Sequence, residues 1–132
     1  MVVDTSAVLA ILLTESDAVQ YAQTIEVSAH CIMSVANFLE AAMVVDGRGD
    51  AIASRRLDAF VREAEIDLVP LTVGQIGIAR QAFRDFGKGR HKASLNFGDC
   101  IAYALAKERG CGLLFVGDDF SKTDVERVLG PN

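Results

Sequence analysis

The sequence predicts an α/β fold in which helices flank one central parallel β-sheet. Short apolar runs alternate with stretches that carry apolar side chains at helical spacing, which is the pattern of βαβ units. Residues 113–116 are apolar at every position, as in a strand covered by helices on both faces. No linker, repeat or low-complexity segment interrupts the 132 residues, so we expect a single domain over 1–132.

Four strands are expected, at residues 1–3, 31–33, 66–71 and 112–116. Pro70 lies within the third, and because proline lacks an N–H to donate, that strand is expected at an edge of the sheet.

Helices fill the intervals between these strands. We expect them at residues 7–13, 16–26, 35–45, 50–64, 72–87 and 97–109. Thr5 or Ser6 can cap the first helix and Ser34 the third, while Thr72 and Gln75 have the spacing of a capping box.

Composition excludes several classes of protein. No apolar run reaches the roughly 18 residues of a membrane-spanning helix, and no basic residue precedes the first apolar stretch as in a signal peptide. We therefore expect a soluble, cytoplasmic protein. The cysteines are odd in number and lack CxxC spacing, which argues against a disulfide framework or a zinc site; they are Cys31, Cys100 and Cys111.

Charge is unevenly distributed along the chain. The net charge is −5, yet residues 1–47 contain acids and no Lys or Arg at all. Basic residues instead crowd residues 80–92. The loop at the end of this segment is a candidate contact for a nucleic-acid phosphate backbone; its candidates are Lys88, Arg90, His91 and Lys92.

Acidic residues follow the first and last predicted strands. Asp4 comes directly after the first strand, and Asp118 and Asp119 follow the last one across a glycine. Because the carboxyl ends of parallel strands meet at one edge of a sheet, these acids are expected to converge.

Two further acids lie on helices that begin at the same edge. Glu40 stands two turns into its helix beside small and apolar neighbours, so we expect it to be partly buried, and Asp99 lies in the first turn of the next-to-last element. Each acid alone has an ordinary explanation as a helix cap, turn residue or solvated side chain. Together, with no basic residue nearby in the first 47, they indicate a Mg²⁺ or Mn²⁺ site suited to phosphodiester hydrolysis.

Four ordered motifs resemble a known family. They are MVVDTSA at residues 1–7, MSVANFLEA at 33–41, NFGDC at 96–100 and LLFVGDDF at 113–120, followed by Thr123 and Asp124. Together they are similar to PIN-domain toxins of the VapC type, the nucleases of bacterial toxin–antitoxin pairs, and the likeness covers essentially the whole chain.

The resemblance implies a Rossmann-like PIN domain that cleaves RNA with Mg²⁺ or Mn²⁺, forms a homodimer and is blocked by a cognate antitoxin. It places the family's acids at Asp4, Glu40, Asp99 and the pair Asp118 and Asp119, without deciding which of the pair faces the metal. Hydrogen bonds to these ligands are expected from Thr5, Ser6 or Ser34.

Other interpretations fit less well. A response-regulator receiver would place an acceptor Asp after a middle strand, where this chain has Ser34 and Thr72. A haloacid-dehalogenase phosphatase requires an Asp at position 6, which is serine. A non-catalytic PIN-like binding module that keeps the acids for stability remains the alternative.

Overall fold

The computed structural model describes residues 1–129. The strands are β1 (Val2–Val3), β2 (Cys31–Ser34), β3 (Ile66–Val69) and β4 (Leu113–Leu114). The helices are α1 (Thr5–Leu12), α2 (Ala18–Val27), α3 (Val35–Asp46), α4 (Ala51–Glu63), α5 (Val73–Phe86) and α6 (Phe97–Arg109), followed by a short 3₁₀ turn at Phe120–Lys122.

The four strands form one parallel sheet in the order β3-β2-β1-β4. β1 is central, with Val2 opposite Ile32 on one side and Leu113 on the other. The predicted parallel α/β class is confirmed, and β3 is an edge strand, as Pro70 indicated.

Two apolar layers cover the faces of the sheet. Successive strand residues point to opposite faces, so Val2 packs on the side of α5 and α6 while its neighbour Val3 packs on the side of α1 to α4. α6 is the most enclosed helix, since all residues from Cys100 to Ala106 are buried. This burial holds the first turn of α6 firmly against the carboxyl edge of the sheet.

Two local predictions were wrong. α1 begins at Thr5 and is capped by Asp4, whose Oδ2 accepts from the Ser6 amide, rather than by Thr5 or Ser6. β4 ends at Leu114 rather than at Val116, because β1 offers only two residues to pair with it. The Val116 amide donates instead to the Ser6 hydroxyl.

The capping box at α5 forms only in half. Thr72 Oγ1 accepts from the Gln75 amide, but the Gln75 side chain is buried and donates to Oε1 of Glu108 on α6 at 2.9 Å. The contact with Glu108 therefore replaces the second hydrogen bond of the predicted capping box.

Among residues 1–129, no helix is both long enough and apolar enough to cross a membrane.

Candidate active site

A cleft of about 290 Å³ opens at the carboxyl edge of the sheet. Four of the predicted acids line it, each from a different element, and they are Asp4, Glu40, Asp99 and Asp119. Within residues 1–129, the cleft lining includes no Lys, Arg or His; its other members are Thr5, Ser6, Leu9, Val44, Asn96, Val116 and Phe120. The charged side chains of this recess are therefore all acidic.

Asp4 lies deepest, with only 4% of its surface exposed. Its Oδ2 accepts from both the amide and the hydroxyl of Ser6, at 3.1 and 2.5 Å. Ser6 in turn accepts the amide of Val116 at 3.0 Å, which ties the end of β4 to the start of α1. Ser6 thus supports Asp4 directly, the role that the resemblance implied for it.

Glu40 is half-buried on the second turn of α3, in agreement with the prediction that it is partly buried. Its Oε1 lies 2.6 Å from the hydroxyl of Thr5, the first residue of α1. Thr5 therefore supports Glu40 as Ser6 supports Asp4. Ser34 does not: it is fully buried and accepts the Ala36 amide as the cap of α3, away from the cleft.

Asp99 has a structural bond as well as a place in the cleft. Its Oδ2 accepts the Asn96 amide at 3.0 Å while Asn96 Oδ1 accepts the Asp99 amide at 2.9 Å, which makes a complete capping box. The box holds the Asp99 carboxylate in one orientation. Asn96 itself lines the cleft, and its N-x-x-D spacing with Asp99 is the sequence signal that points to it.

Asp118 and Asp119 are both exposed, but only Asp119 lines the cleft. Gly117 has a φ of +95°, a conformation that favours glycine, and this turn presents Asp119 to the cleft. Asp118 is not among the lining residues, although its carbonyl oxygen accepts bonds from Ser121. The sequence did not decide which of these two acids faces the predicted metal site; Asp119 is the one that lines the cleft.

Burial and electrostatic repulsion together raise the pKa values of two acids of the cleft, Asp4 and Asp99. Burial raises the pKa of Asp4 to about 7, with added repulsion from Asp99 and Glu40 and against the opposing effect of the Ser6 bonds. Burial likewise raises the pKa of Asp99 to about 6, with added repulsion from Asp119 and Glu40. The cleft therefore holds negative charge that no protein cation lining it offsets.

The residues of the cleft fit a hard divalent cation. All four charged donors are carboxylate oxygens, and within the described residues 1–129 the deepest of them, Asp4, has no cationic partner. Among residues 1–129, no group of three or more acidic, histidine or cysteine side chains lies close enough together to hold a metal ion without moving. An open donor set suits Mg²⁺, which usually keeps several waters and takes only one or two protein carboxylates.

The predicted basic loop lies just before Asn96, one of the residues that line the cleft, in the sequence. It is closed at its base by bonds from the Lys88 amide to the Leu95 carbonyl and from the Leu95 amide to the Phe86 carbonyl. Lys88, Arg90 and Lys92 are exposed. His91 is half-buried, packs edge-on against Phe86 and accepts the Ala93 amide through Nδ1, so it shapes the turn.

A larger groove, of about 950 Å³, lies away from the acids between α2, α4 and β3. Its walls are apolar and charged, and acidic residues outnumber basic ones in its lining: Glu26, Asp58, Glu63, Glu65 and Asp67 against Arg62 and His30. The size of this groove does not make it the reactive site, because none of the carboxylates with a raised pKa lines it.

The profile of the PIN domain family matches residues 1–126. The chain belongs to the PIN domain family. The resemblance inferred from the four sequence motifs is thereby confirmed.

Within the PIN domain family, the chain is similar to curated proteins of the VapC type. VapC ribonuclease Mb0640 of Mycobacterium bovis is 44% identical over 131 residues, covering 99% of this chain and 100% of the relative. Ribonuclease VapC28 of Mycobacterium tuberculosis is 46% identical over 130 residues, covering 98% of each protein. The similarity therefore extends over nearly the whole length of both partners in each comparison.

Solved structures share the fold at low identity. One is a toxin-antitoxin complex from Klebsiella pneumoniae, with a TM-score of 0.72, 12% identity, and coverage of 93% of this chain and 92% of that one. Another is VapC20 of Mycobacterium tuberculosis, described as a sarcin-ricin loop cleaving toxin, with a TM-score of 0.73, 17% identity, and coverage of 96% and 97%.

The raised pKa values predict how stability depends on pH without metal. A carboxyl group whose pKa is higher in the folded than in the unfolded chain stabilises the fold at low pH and loses that contribution as pH rises. For Asp4 the loss spans the interval from its ordinary value of 3.8 to about 7. In EDTA, urea denaturation should therefore give a lower free energy of unfolding at pH 8 than at pH 5.

Asp4→Asn is the matched control for this effect, because it keeps the side-chain shape and removes the titration. Its free energy of unfolding should fall less between pH 5 and pH 8 than that of the wild type. The lowered pKa of Asp124, caused mainly by the Tyr103 hydroxyl, acts only at more acidic pH and does not compete in this interval. Equal pH dependence in the two proteins would contradict the burial of an uncompensated Asp4.

Proposed function

We propose that this chain is an endoribonuclease, the toxin of a type II toxin–antitoxin pair, and that it cleaves RNA with Mg²⁺ or Mn²⁺ in the acidic cleft. The observation that carries this proposal is the convergence of Asp4, Glu40, Asp99 and Asp119 on one recess whose described lining has no basic residue. Relatives named as ribonucleases, similar over nearly the whole chain, support RNA as the substrate.

In the proposed reaction Asp4 and Asp99 hold the metal ion. When bound, such an ion polarises a phosphoryl oxygen and lowers the pKa of a coordinated water. Ser6 and Asn96 keep the two carboxylates oriented through the bonds described above. Both acids must be ionised to bind, so a cation that binds them also relieves the unfavourable burial of their charge.

Glu40 and Asp119 complete the site. Their oxygens accept hydrogen bonds from the attacking water and orient it in line with the scissile bond. Oxygen of the water bonds to phosphorus and gives one proton to the Glu40 or Asp119 carboxylate. The bond to the 3′ oxygen breaks, that oxygen takes up a proton from solvent, and the carboxylate returns its own proton to solvent. The products are then a 5′ phosphate and a 3′ hydroxyl; a 2′,3′-cyclic phosphate end would contradict this route.

Two assembly partners belong to the proposal. We place the antitoxin on the groove between α2, α4 and β3, whose acidic rim suits a segment with apolar anchors and basic flanks. A homodimer is supported by exposed apolar residues that recur every four positions along one face of α3, with exposures of 41%, 59% and 67%; these are Val35, Leu39 and Met43.

Adjacent acids provide the sharpest test of the cleft. Asp119→Asn should lower kcat for RNA cleavage in Mg²⁺ by about 100-fold or more, the loss expected when a carboxylate that positions the attacking water and takes up its proton is removed. Asp118→Asn alters the neighbouring residue with the same chemical change and should cause a clearly smaller loss. Cleavage of bulk RNA, followed on gels with Mg²⁺, Mn²⁺ or EDTA, measures both.

Similar losses in the two variants would show that the cleft does not distinguish them. Full activity of Asp119→Asn, or wild-type cleavage that persists in EDTA, would contradict the metal-dependent proposal. A folded wild-type protein that neither binds Mn²⁺ nor cleaves RNA would favour the non-catalytic binding module.

The basic loop predicts a salt-dependent contribution to RNA binding. Replacing Lys88, Arg90 and Lys92 by Ala removes three exposed positive charges from the basic loop. We expect weaker binding to RNA of any sequence and a shallower dependence of log Kd on log salt, by about one unit of slope for each phosphate that the loop no longer neutralises. The background for this binding assay is Asp4→Asn, which prevents cleavage. An unchanged salt slope would exclude the loop from the interface.

A further inference from the structure

Gly98 lies against the Glu40 carboxylate at the junction of α3 and α6. A Cβ atom at position 98 would stand 2.5 Å from Oε2 and 2.6 Å from Oε1 of Glu40, closer than such atoms can approach. The φ of Gly98 is not positive, so backbone conformation does not require glycine there. The Glu40 carboxylate occupies the space that a Cβ would need, and because it is the far end of a flexible side chain, an added Cβ would displace it.

Asn37 joins the same two helices one turn earlier on α3. Its Nδ2 donates to the Gly98 carbonyl at 3.0 Å, across 61 residues of sequence, and only 1% of its surface is exposed. Its Oδ1 has no hydrogen-bond partner among residues 1–129. A buried amide that is only half satisfied costs free energy, and an apolar side chain would fill the position without that cost.

Thr5 links this contact to α1. Its hydroxyl lies 3.0 Å from the Asn37 carbonyl oxygen and 2.6 Å from Oε1 of Glu40, and its one proton bonds to either acceptor at a time. Glu40 therefore has a hydrogen bond from Thr5, and its carboxylate lies where a Cβ of residue 98 would stand. Asp99, the next residue after Gly98, is brought to the cleft by the same helix turn.

We propose that Asn37 and Gly98 are positioning residues that fix the Glu40 carboxylate relative to Asp99 by holding the first turn of α6 against α3. Neither residue lines the cleft. This role accounts for both the half-satisfied amide and the missing Cβ. The inference deepens the proposed function and rests on it for its connection to metal binding.

Mn²⁺ binding, followed by the loss of the free-ion EPR signal, tests the proposal without requiring RNA cleavage. Asn37→Leu keeps a buried side chain of similar size and removes the bond to Gly98. We expect it to fold, as circular dichroism will show, and to raise the Kd for Mn²⁺ by about 10- to 100-fold, the usual effect of losing an outer partner of a metal ligand. In RNA cleavage at saturating metal, kcat should fall while KM changes little.

A glycine pair gives the matched control. Gly98→Ala should weaken Mn²⁺ binding as Asn37→Leu does, because it displaces the Glu40 carboxylate, whose negative charge acts on both proposed ligands, Asp4 and Asp99. Gly77→Ala makes the same change inside α5, where the added Cβ meets no atom within 4 Å, so Mn²⁺ binding should be unchanged and the thermal midpoint raised. Wild-type Mn²⁺ affinity in folded Asn37→Leu or Gly98→Ala would overturn the proposal.

A double-mutant cycle separates this proposal from the proposed function. Gly98→Ala should lower the thermal midpoint in the wild-type background but not in Glu40→Ala, where the atoms that its Cβ would strike are absent. An equal loss in both backgrounds would refute the contact between Gly98 and Glu40. If the wild type binds no Mn²⁺, the metal-dependent function fails, and the cycle still decides whether Gly98 and Glu40 are coupled.

Discussion

The burial of Asp4 is the constraint around which this fold is arranged. A carboxylate at the end of the central strand has lost almost all contact with water, and three other acids line the same recess. Such a charge is costly unless it is hydrogen-bonded and neutralised. The protein supplies the hydrogen bonds through Ser6, but residues 1–129 place no cation in the cleft lining. The metal ion proposed above would offset the remaining cost.

Each neighbouring element contributes one support to this arrangement. The amide of Val116 anchors Ser6, Thr5 contacts Glu40, and Asn96 orients Asp99. All these bonds form where strands end and helices begin, so the same groups that cap helices also orient carboxylates. The same residues therefore cap helices and orient the carboxylates proposed to bind metal. The buried residues of α6, from Cys100 to Ala106, fix the position of this helix in the core.

Topology made part of this site predictable from sequence. Acids that follow parallel strands must share an edge, so the meeting of Asp4 with Asp119 follows from the alternation of strands and helices alone. The partial burial of Glu40 follows from its helical neighbours. The roles of Asn37 and Gly98 were not predictable, because they depend on how two helices distant in sequence approach each other. The choice between Asp118 and Asp119 likewise depends on the turn at Gly117.

The position of a bound Mn²⁺ ion would decide whether the acids of the cleft form a metal site. Crystals soaked in Mn²⁺ and measured at its absorption edge would locate the ion by anomalous scattering. We expect a peak in the cleft, coordinated by oxygens of Asp4 and Asp99, and no peak there in crystals of Asp4→Asn. A crystal that gives no peak in the cleft at saturating Mn²⁺, or places the ion only at another surface, would contradict a metal site built on Asp4.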